Sequence, residues 1–223
     1  MTEKNENTPN TARFTSKSAE SFNFWRRVFQ YITCSLAVKN YVSHVLRRYN
    51  FKVEGLENFD KKKKYIVASN HLTGLDPFII PAMLHLTIAF MAKKQLFETF
   101  WSSVLMDWCG AFAVDRDKTA VSTIKTALAV KKTSWNLGLF PQGTRSNNGR
   151  IEKISKGFAS IAKKMETDVL PVGIVIKENT NSKKKDFIIK AGKPITYKKS
   201  IDDIIQSWAA SVSKLAELEY TAS

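Results

Sequence analysis

A short apolar strand that runs into a proline-opened helix constrains this chain more than any other feature. Tyr65-Ile66-Val67-Ala68 is brief, apolar and β-branched at its centre, which suits a buried strand. Asp76-Pro77 then reads as an N-cap followed by proline at the first helical position, and the helix continues through Phe78, Ile79, Ile80 and Ala82. The turn between them, Ser69-Asn70-His71-Leu72-Thr73-Gly74-Leu75, carries His71 five residues before Asp76. Histidine takes a proton near neutral pH without special tuning. A carboxylate close by fixes its tautomer and stabilises the imidazolium. No serine or cysteine nucleophile adjoins His71, which points to a base acting on a hydroxyl that the substrate brings. Taken alone, the same residues also fit an aspartate that only caps a helix and an ordinary hydrogen-bonded histidine.

Three later segments add to this one. In Gly138-Leu139-Phe140-Pro141-Gln142-Gly143-Thr144-Arg145-Ser146, a strand pattern over Ser134 to Phe140 is broken by Pro141 and Gly143 into a turn. Such a turn offers backbone N–H groups to an anion, and Arg145 adds a forked, permanently charged donor suited to phosphate. An ordinary Pro-Gly turn with a solvated arginine gives the same residues. Gly110-Ala111-Phe112-Ala113-Val114-Asp115-Arg116-Asp117 is an apolar strand that meets an arginine flanked by acids, which by itself is a surface ion pair worth little. Val169-Leu170-Pro171-Val172-Gly173-Ile174-Val175-Ile176 is a buried-type strand, and its proline predicts a strand start, an edge or a bulge.

Between these segments the pattern alternates. Helical spacing predicts a helix over Lys118 to Lys132, with Val121, Ile124, Leu128 and Lys131 on one side, and a second over Ile154 to Lys164. Phe51 to Val53, Thr87 to Met91 and Asp186 to Lys190 read as strands. Ser200 opens a last helix with Asp203 three residues on, a capping-box signal. Its apolar stripe is Ile201, Ile204, Ile205, Trp208, Val212, Leu215 and Leu218. Strands alternating with helices predict an α/β fold, with a mixed, partly parallel sheet flanked by helices over residues 50–223. A chain of 223 residues is long enough for one such unit with a sizeable core.

In this order, the four segments resemble the glycerolipid acyltransferase family, specifically the 1-acylglycerol-3-phosphate (lysophosphatidic acid) acyltransferases. That family has an Asn-His followed by four residues and Asp, here Asn70, His71 and Asp76. A strand ending in arginine follows, here Val114-Asp115-Arg116, and then Phe-Pro-Glu-Gly-Thr-Arg, here Phe140-Pro141-Gln142-Gly143-Thr144-Arg145. The last block is a Val-x-Pro-Val strand, here Val169-Leu170-Pro171-Val172. The resemblance runs from about Tyr65 to Ile176, with minor matches at Ala92 to Phe97 and at Lys156-Gly157. Gln142 departs from it, standing where the family usually has glutamate.

The resemblance implies an enzyme that moves a fatty acyl group from a thioester to the free hydroxyl of lysophosphatidic acid, giving phosphatidic acid. His71 is then the base and Asp76 its orienting partner. Arg116, Arg145 and Lys93 hold the acceptor phosphate, and Asn70, Gln142, Gly143 and Thr144 position it. The donor is acyl-coenzyme A or acyl carrier protein, and neither a metal nor a bound cofactor is required. Gln142 keeps a hydrogen-bonding carbonyl, adds donors and drops a charge. With the base role at His71, that change is tolerated. Two other readings stand beside this one: a sister enzyme acting on glycerol-3-phosphate or another lysophospholipid, and a non-catalytic membrane-surface protein on the same scaffold.

Thirty-five basic residues against twenty acidic ones give a formal charge of +15. This excess favours anionic partners: nucleic acid, anionic lipid or an acidic carrier protein. No nucleic-acid motif accompanies it, so nucleic acid is not expected as a partner. Cys34 and Cys109 are too few for a disulfide framework and read as small buried hydrophobes. Residues 1–20 are polar, lack a secretory apolar core and are expected to be disordered. Residues 21–49 mix Phe22, Phe24, Trp25, Phe29, Tyr31 and Tyr41 with Arg26, Arg27, Arg47 and Arg48, the composition of an amphipathic segment that lies in a bilayer interface. A helix packed on the domain with its charges solvated has the same composition. Lys61 to Lys64 is a lysine run that solvates a loop or touches lipid headgroups. No stretch reaches the roughly 18–20 apolar residues of a spanning helix. The expectation is a peripheral protein on the cytoplasmic face of an anionic membrane.

Overall fold

The computed structural model describes residues 49–93, 97–99, 103, 104, 106, 110–114, 120–145 and 148–220, together with Trp25, Val28, Gln30 and Ile32. Seven strands form one sheet: β1 (Tyr49–Glu54), β2 (Ile66–Ser69), β3 (Ile88–Lys93), β4 (Ala111–Val114), β5 (Asn136–Leu139), β6 (Val169–Lys177) and β7 (Lys185–Ala191). Their spatial order is β1-β7-β6-β2-β5-β3-β4. Every pairing is parallel except β6 with β7. Among the described residues four α-helices accompany the sheet: α1 (Asp76–Leu84), α2 (Ala120–Lys131), α3 (Gly157–Met165) and α4 (Ile201–Ala216). The mixed, mostly parallel α/β architecture agrees with the alternation in the sequence.

β2 lies in the middle of the sheet and all four of its residues are buried. Such a strand must be apolar on both faces, which is why Ile66, Val67 and Ala68 form a run rather than an alternation. Two apolar clusters divide the core. Ile66 and Ala68 share one with α2, α3 and α4; Val67 shares the other with α1 and β7. Trp208 of α4 is fully buried, and its indole N–H donates to the Ala68 carbonyl at 3.0 Å. This bond pins the last helix to the strand that leads into the His71 turn.

Several boundaries differ from the expectations, each for a local reason. Asp76 is the first helical residue and not the N-cap; Leu75 holds that position with no side-chain cap. The Asp76 carboxylate is instead drawn back to the preceding turn, as the site geometry explains. α3 begins at Gly157, three residues after Ile154, because Ser155 N–H donates to the Pro141 carbonyl and holds the chain extended. α4 does have the expected cap: Ser200 Oγ accepts from Asp203 N at 3.0 Å. It ends at Ala216, so Leu218 falls beyond the helix, with its N–H donating to Ser213 O. Among the α2 side chains described, Ala127 and Val130 are buried and Ile124 and Leu128 partly so, while that of Val121 lies outside the description. Pro171 is the third residue of β6, one before the ladder with β7 begins at Val172, so its missing N–H interrupts no bond to β7.

The lysine run divides in two. Lys61, Lys62 and Lys63 are exposed, whereas Lys64 is half-buried. Its ammonium donates to the carbonyls of Lys131, at 2.8 Å, and Thr133, where α2 ends. Burial, then the charge of Lys131, hold the Lys64 pKa below its usual value. A cation placed on orphan carbonyls at a helix C-terminus is favourable. The whole run precedes β2, while His71 follows it, so the lysines and the histidine lie at opposite ends of that strand.

β1 begins at Tyr49, one residue inside the segment assigned to the N-terminal helix. Most of residues 21–48, including both arginine pairs, lies outside the described residues, as do residues 1–20, Cys34 and Cys109. Among those described, Trp25 is 67% exposed. Gln30 is 1% exposed, and its carboxamide accepts from Ile88 N at 3.1 Å and donates to Ile88 O at 2.6 Å. The segment is therefore tied to β3 through a polar side chain. No helix among the described residues is long and apolar enough to cross a membrane.

Candidate active site

The site is built on the turn that leaves β2. Asn70 anchors it. This side chain is buried, its amide donates to Ile174 O at 3.0 Å, and its carbonyl accepts from Ile174 N at 2.7 Å. Each end of the carboxamide thus makes one bond to β6. Asn70 positions the turn.

His71 and Asp76 meet as their spacing predicted. His71 Nδ1 lies 2.7 Å from Asp76 Oδ2. The same oxygen accepts the N–H groups of Leu72 at 2.7 Å and Thr73 at 2.9 Å. The other oxygen accepts the Thr73 hydroxyl at 2.7 Å, and Thr73 Oγ1 in turn accepts Leu75 N–H at 3.1 Å. Asp76 is 0% exposed and the His71 side chain 16%. A buried carboxylate needs this many donors, because burying an unsatisfied charge costs far more than the bonds return. It also sits in the first turn of α1, where the helix dipole favours a negative charge. Because the carboxylate is an acceptor, Nδ1 carries the hydrogen and Nε2 is left with a free lone pair.

Phe140 brings the second segment to the first. Its ring stacks on the His71 imidazole with centroids 3.9 Å apart and planes at 14°, and stacks in turn on Phe90 of β3 at 5.3 Å. The imidazole is therefore fixed by a carboxylate at its edge and an aromatic ring on its face. Phe140 and Thr73 are the two contributors that sequence reasoning missed. Phe140 was visible as the end of a strand pattern and the first residue of a family block, with no role assigned to it, and Thr73 as one residue of a polar turn.

The Phe140 to Arg145 turn is closed by Gly143 N–H donating to Phe140 O at 2.9 Å. Gly143 has φ +74°, a conformation that suits glycine. The bond uses the Gly143 amide inside the turn. Gln142 Nε2 lies 3.4 Å from Arg150 O, a contact that a carboxylate could not make as donor. Thr144 and Arg145 are exposed. Downstream, Ile151 N donates to Glu219 O and Glu219 N to Gly149 O, so the C-terminal turn holds the loop in place. Arg116 lies outside the described residues. Lys93 ends β3, with its side chain outside the description. Among the described residues no group of three or more His, Cys, Asp or Glu is arranged to hold a metal ion.

An α/β sheet with a buried carboxylate holding a histidine at the C-terminal end of its central strand is an arrangement suited to proton transfer. The chain belongs to the acyltransferase family, whose pattern matches residues 50–175. Relatives named 1-acyl-sn-glycerol-3-phosphate acyltransferase include one from Borreliella burgdorferi, 30% identical over 62% of this chain and 53% of its own length. Another, from Bacillus subtilis, is 30% identical over 63% of this chain and 69% of its own. One from Saccharomyces cerevisiae is 30% identical over 72% and 56%. The chain thus spans little more than half the length of two of these three relatives. The crystal structure of the 1-acyl-sn-glycerophosphate (LPA) acyltransferase from Thermotoga maritima superposes with a TM-score of 0.60 at 20% identity, covering 92% of this chain and 100% of that one. At that identity the likeness concerns the fold.

Proposed function

We propose that this chain is a 1-acylglycerol-3-phosphate O-acyltransferase, making phosphatidic acid from lysophosphatidic acid and a thioester donor. The observation that carries the reading is the imidazole held at Nδ1 by Asp76 and across its face by Phe140, with Nε2 left to accept a proton. His71 Nε2 takes the proton of the acceptor hydroxyl as that oxygen attacks the thioester carbon. The tetrahedral intermediate collapses with cleavage of the C–S bond. The leaving thiolate recovers the proton from the imidazolium, and Asp76 stabilises the imidazolium while it exists. No acyl-enzyme forms. Arg145, with Arg116 and Lys93, holds the acceptor phosphate, and Gln142, Gly143 and Thr144 shape the turn that carries Arg145. Gln142 serves by hydrogen bonding, which is why glutamine can stand for the family's glutamate.

The deciding experiment presents the purified protein with lysophosphatidic acid, glycerol-3-phosphate and other lysophospholipids, each with acyl-coenzyme A and acyl carrier protein. Phosphatidic acid as the dominant product supports the reading; thioester hydrolysis without acyl transfer overturns it. Arg145→Ala should raise the apparent KM for the acceptor about tenfold or more, since a charge-assisted bond to phosphate contributes about 1.5–3 kcal/mol. A change confined to the donor KM would assign this arginine to the other substrate.

The protein is proposed to act as a peripheral membrane protein on the cytoplasmic face. The aromatic and arginine-rich segment before β1 supports this, with Trp25 exposed at its start and Gln30 fastening it to β3. Deleting residues 1–48 should release the protein from anionic vesicles in a sedimentation assay, and high salt should weaken but not abolish binding of the full chain. Unchanged binding of the truncated chain would move the contact to another surface. Lys61 to Lys63 are poorly placed for it, lying at the far end of β2 from His71.

A further inference from the structure

We propose that a cleft beside the His71 turn receives the phosphopantetheine arm of the thioester donor; this rests on the acyltransferase reading and adds a site to it. The cleft encloses about 520 Å³. Leu72 and Thr73 form its inner wall, so it begins at the residue after the base. Ile174 and Ile176 line it from β6, and Leu218 from the turn after α4. Ile174 is the residue whose backbone binds Asn70 at both ends, so the wall of the cleft and the His71 turn are one rigid piece.

Its rim carries Lys177, Lys185 and Glu217, with each lysine paired to a carboxylate and with cations in excess around it. Lys177 and Lys185 stand at the mouth, where β6 ends and β7 begins. Lys177 donates to Glu217 at 2.8 Å, and Lys190 reaches the same carboxylate at 3.1 Å. The hydrogen bond from Lys177, then that from Lys190, hold the Glu217 pKa below the usual carboxylate range, so the anion that arrays these lysines stays ionised. Lys185 pairs with Glu178 at 2.6 Å, and Lys183 and Lys184 precede it in the same connection.

A cleft lined by both apolar and polar groups, with more cations than carboxylates around its rim, matches one part of a thioester donor. A phosphopantetheine arm is a chain of amides and methyl groups with a phosphate at one end and the thioester at the other. With the phosphate on the rim, the arm runs along Ile176 and Ile174 and delivers the thioester beside Leu72, next to His71. The sheet order supports this division. β6 and β7 flank β2 on one side, while β5, β3 and β4, which lead to Arg145, Lys93 and Arg116, flank it on the other. Donor and acceptor then approach the base from different sides. The arm is common to acyl-coenzyme A and acyl carrier protein.

The test is the double variant Lys177→Gln/Lys185→Gln, assayed in detergent with acyl-coenzyme A, acyl-phosphopantetheine and acyl carrier protein. Lys132→Glu, on the exposed surface at the end of α2, removes the same net charge and serves as control. The expected result is a donor KM raised about tenfold or more for all three donors, with the acceptor KM and kcat nearly unchanged in the variant and all constants unchanged in the control. Equilibrium titration with a thioether analogue of acyl-coenzyme A should show the same loss of affinity without turnover. Normal donor constants and analogue affinity in the folded double variant would overturn the proposal. So would an effect on the acceptor alone, or on one carrier and not the other two donors. Failure of the wild-type chain to transfer acyl groups at all would instead sink the acyltransferase reading, a separate outcome.

Discussion

His71→Ala should lower acyl transfer by about 10²–10⁴-fold while the protein stays folded. The ring is partly exposed, and the contacts it loses are the Phe140 stack and one bond to Asp76. Asp76 would still accept Leu72 N–H, Thr73 N–H and the Thr73 hydroxyl, so the turn keeps its frame. The check is kcat/KM beside the thermal melting profile. Near-normal turnover in a folded variant would end the general-base mechanism and leave the family scaffold without its catalytic residue.

Asp76→Asn should cost nearly as much, for a different reason. A carboxamide oxygen placed at Oδ2 still accepts the two turn amides, and the amide nitrogen faces the Thr73 hydroxyl, which accepts as well as donates. What disappears is the charge that stabilises the imidazolium. A loss of about 10²–10⁴-fold in kcat with little change in either KM is expected. If Asp76→Asn instead unfolds the protein, while its rate per folded molecule is normal, then Asp76 is structural. Asp76→Ala makes the complementary comparison. It strips the acceptor from three backbone or hydroxyl donors at once, and it should lose stability that the asparagine variant keeps.

Much of this molecule can be read in its linear order because the information is local. β2 is an apolar run since a central strand is buried on both faces, and Asp76-Pro77 marks the start of α1 to within one residue. Ser200 and Asp203 set the start of α4 by a bond that closes within a single turn. The His71–Asp76 pair is legible for the same reason: five residues span one tight turn, and few conformations of so short a segment keep the two apart. The alternation of strands and helices gives the fold class.

What the linear order leaves open are contacts between residues far apart, and these decide how the site is finished. Asn70 sits in the histidine's motif, and its carboxamide bonds to Ile174, more than a hundred positions away. Phe140 directly follows β5, and only when β5 is placed beside β2 does its ring come to lie on the imidazole. Gly143 offers an amide in the abstract and spends it on Phe140 once the turn closes. The antiparallel return of β7 against β6 makes the lysine-rimmed cleft, and no periodicity along the chain encodes it. The sequence by itself determined the local units and the histidine with its carboxylate, because hydrogen bonds across a few residues depend on little else. Only the tertiary structure decided which face of the histidine is covered, which polar groups are already satisfied and where a second substrate finds room, because those depend on strand order, and strand order is set by the packing of the whole core.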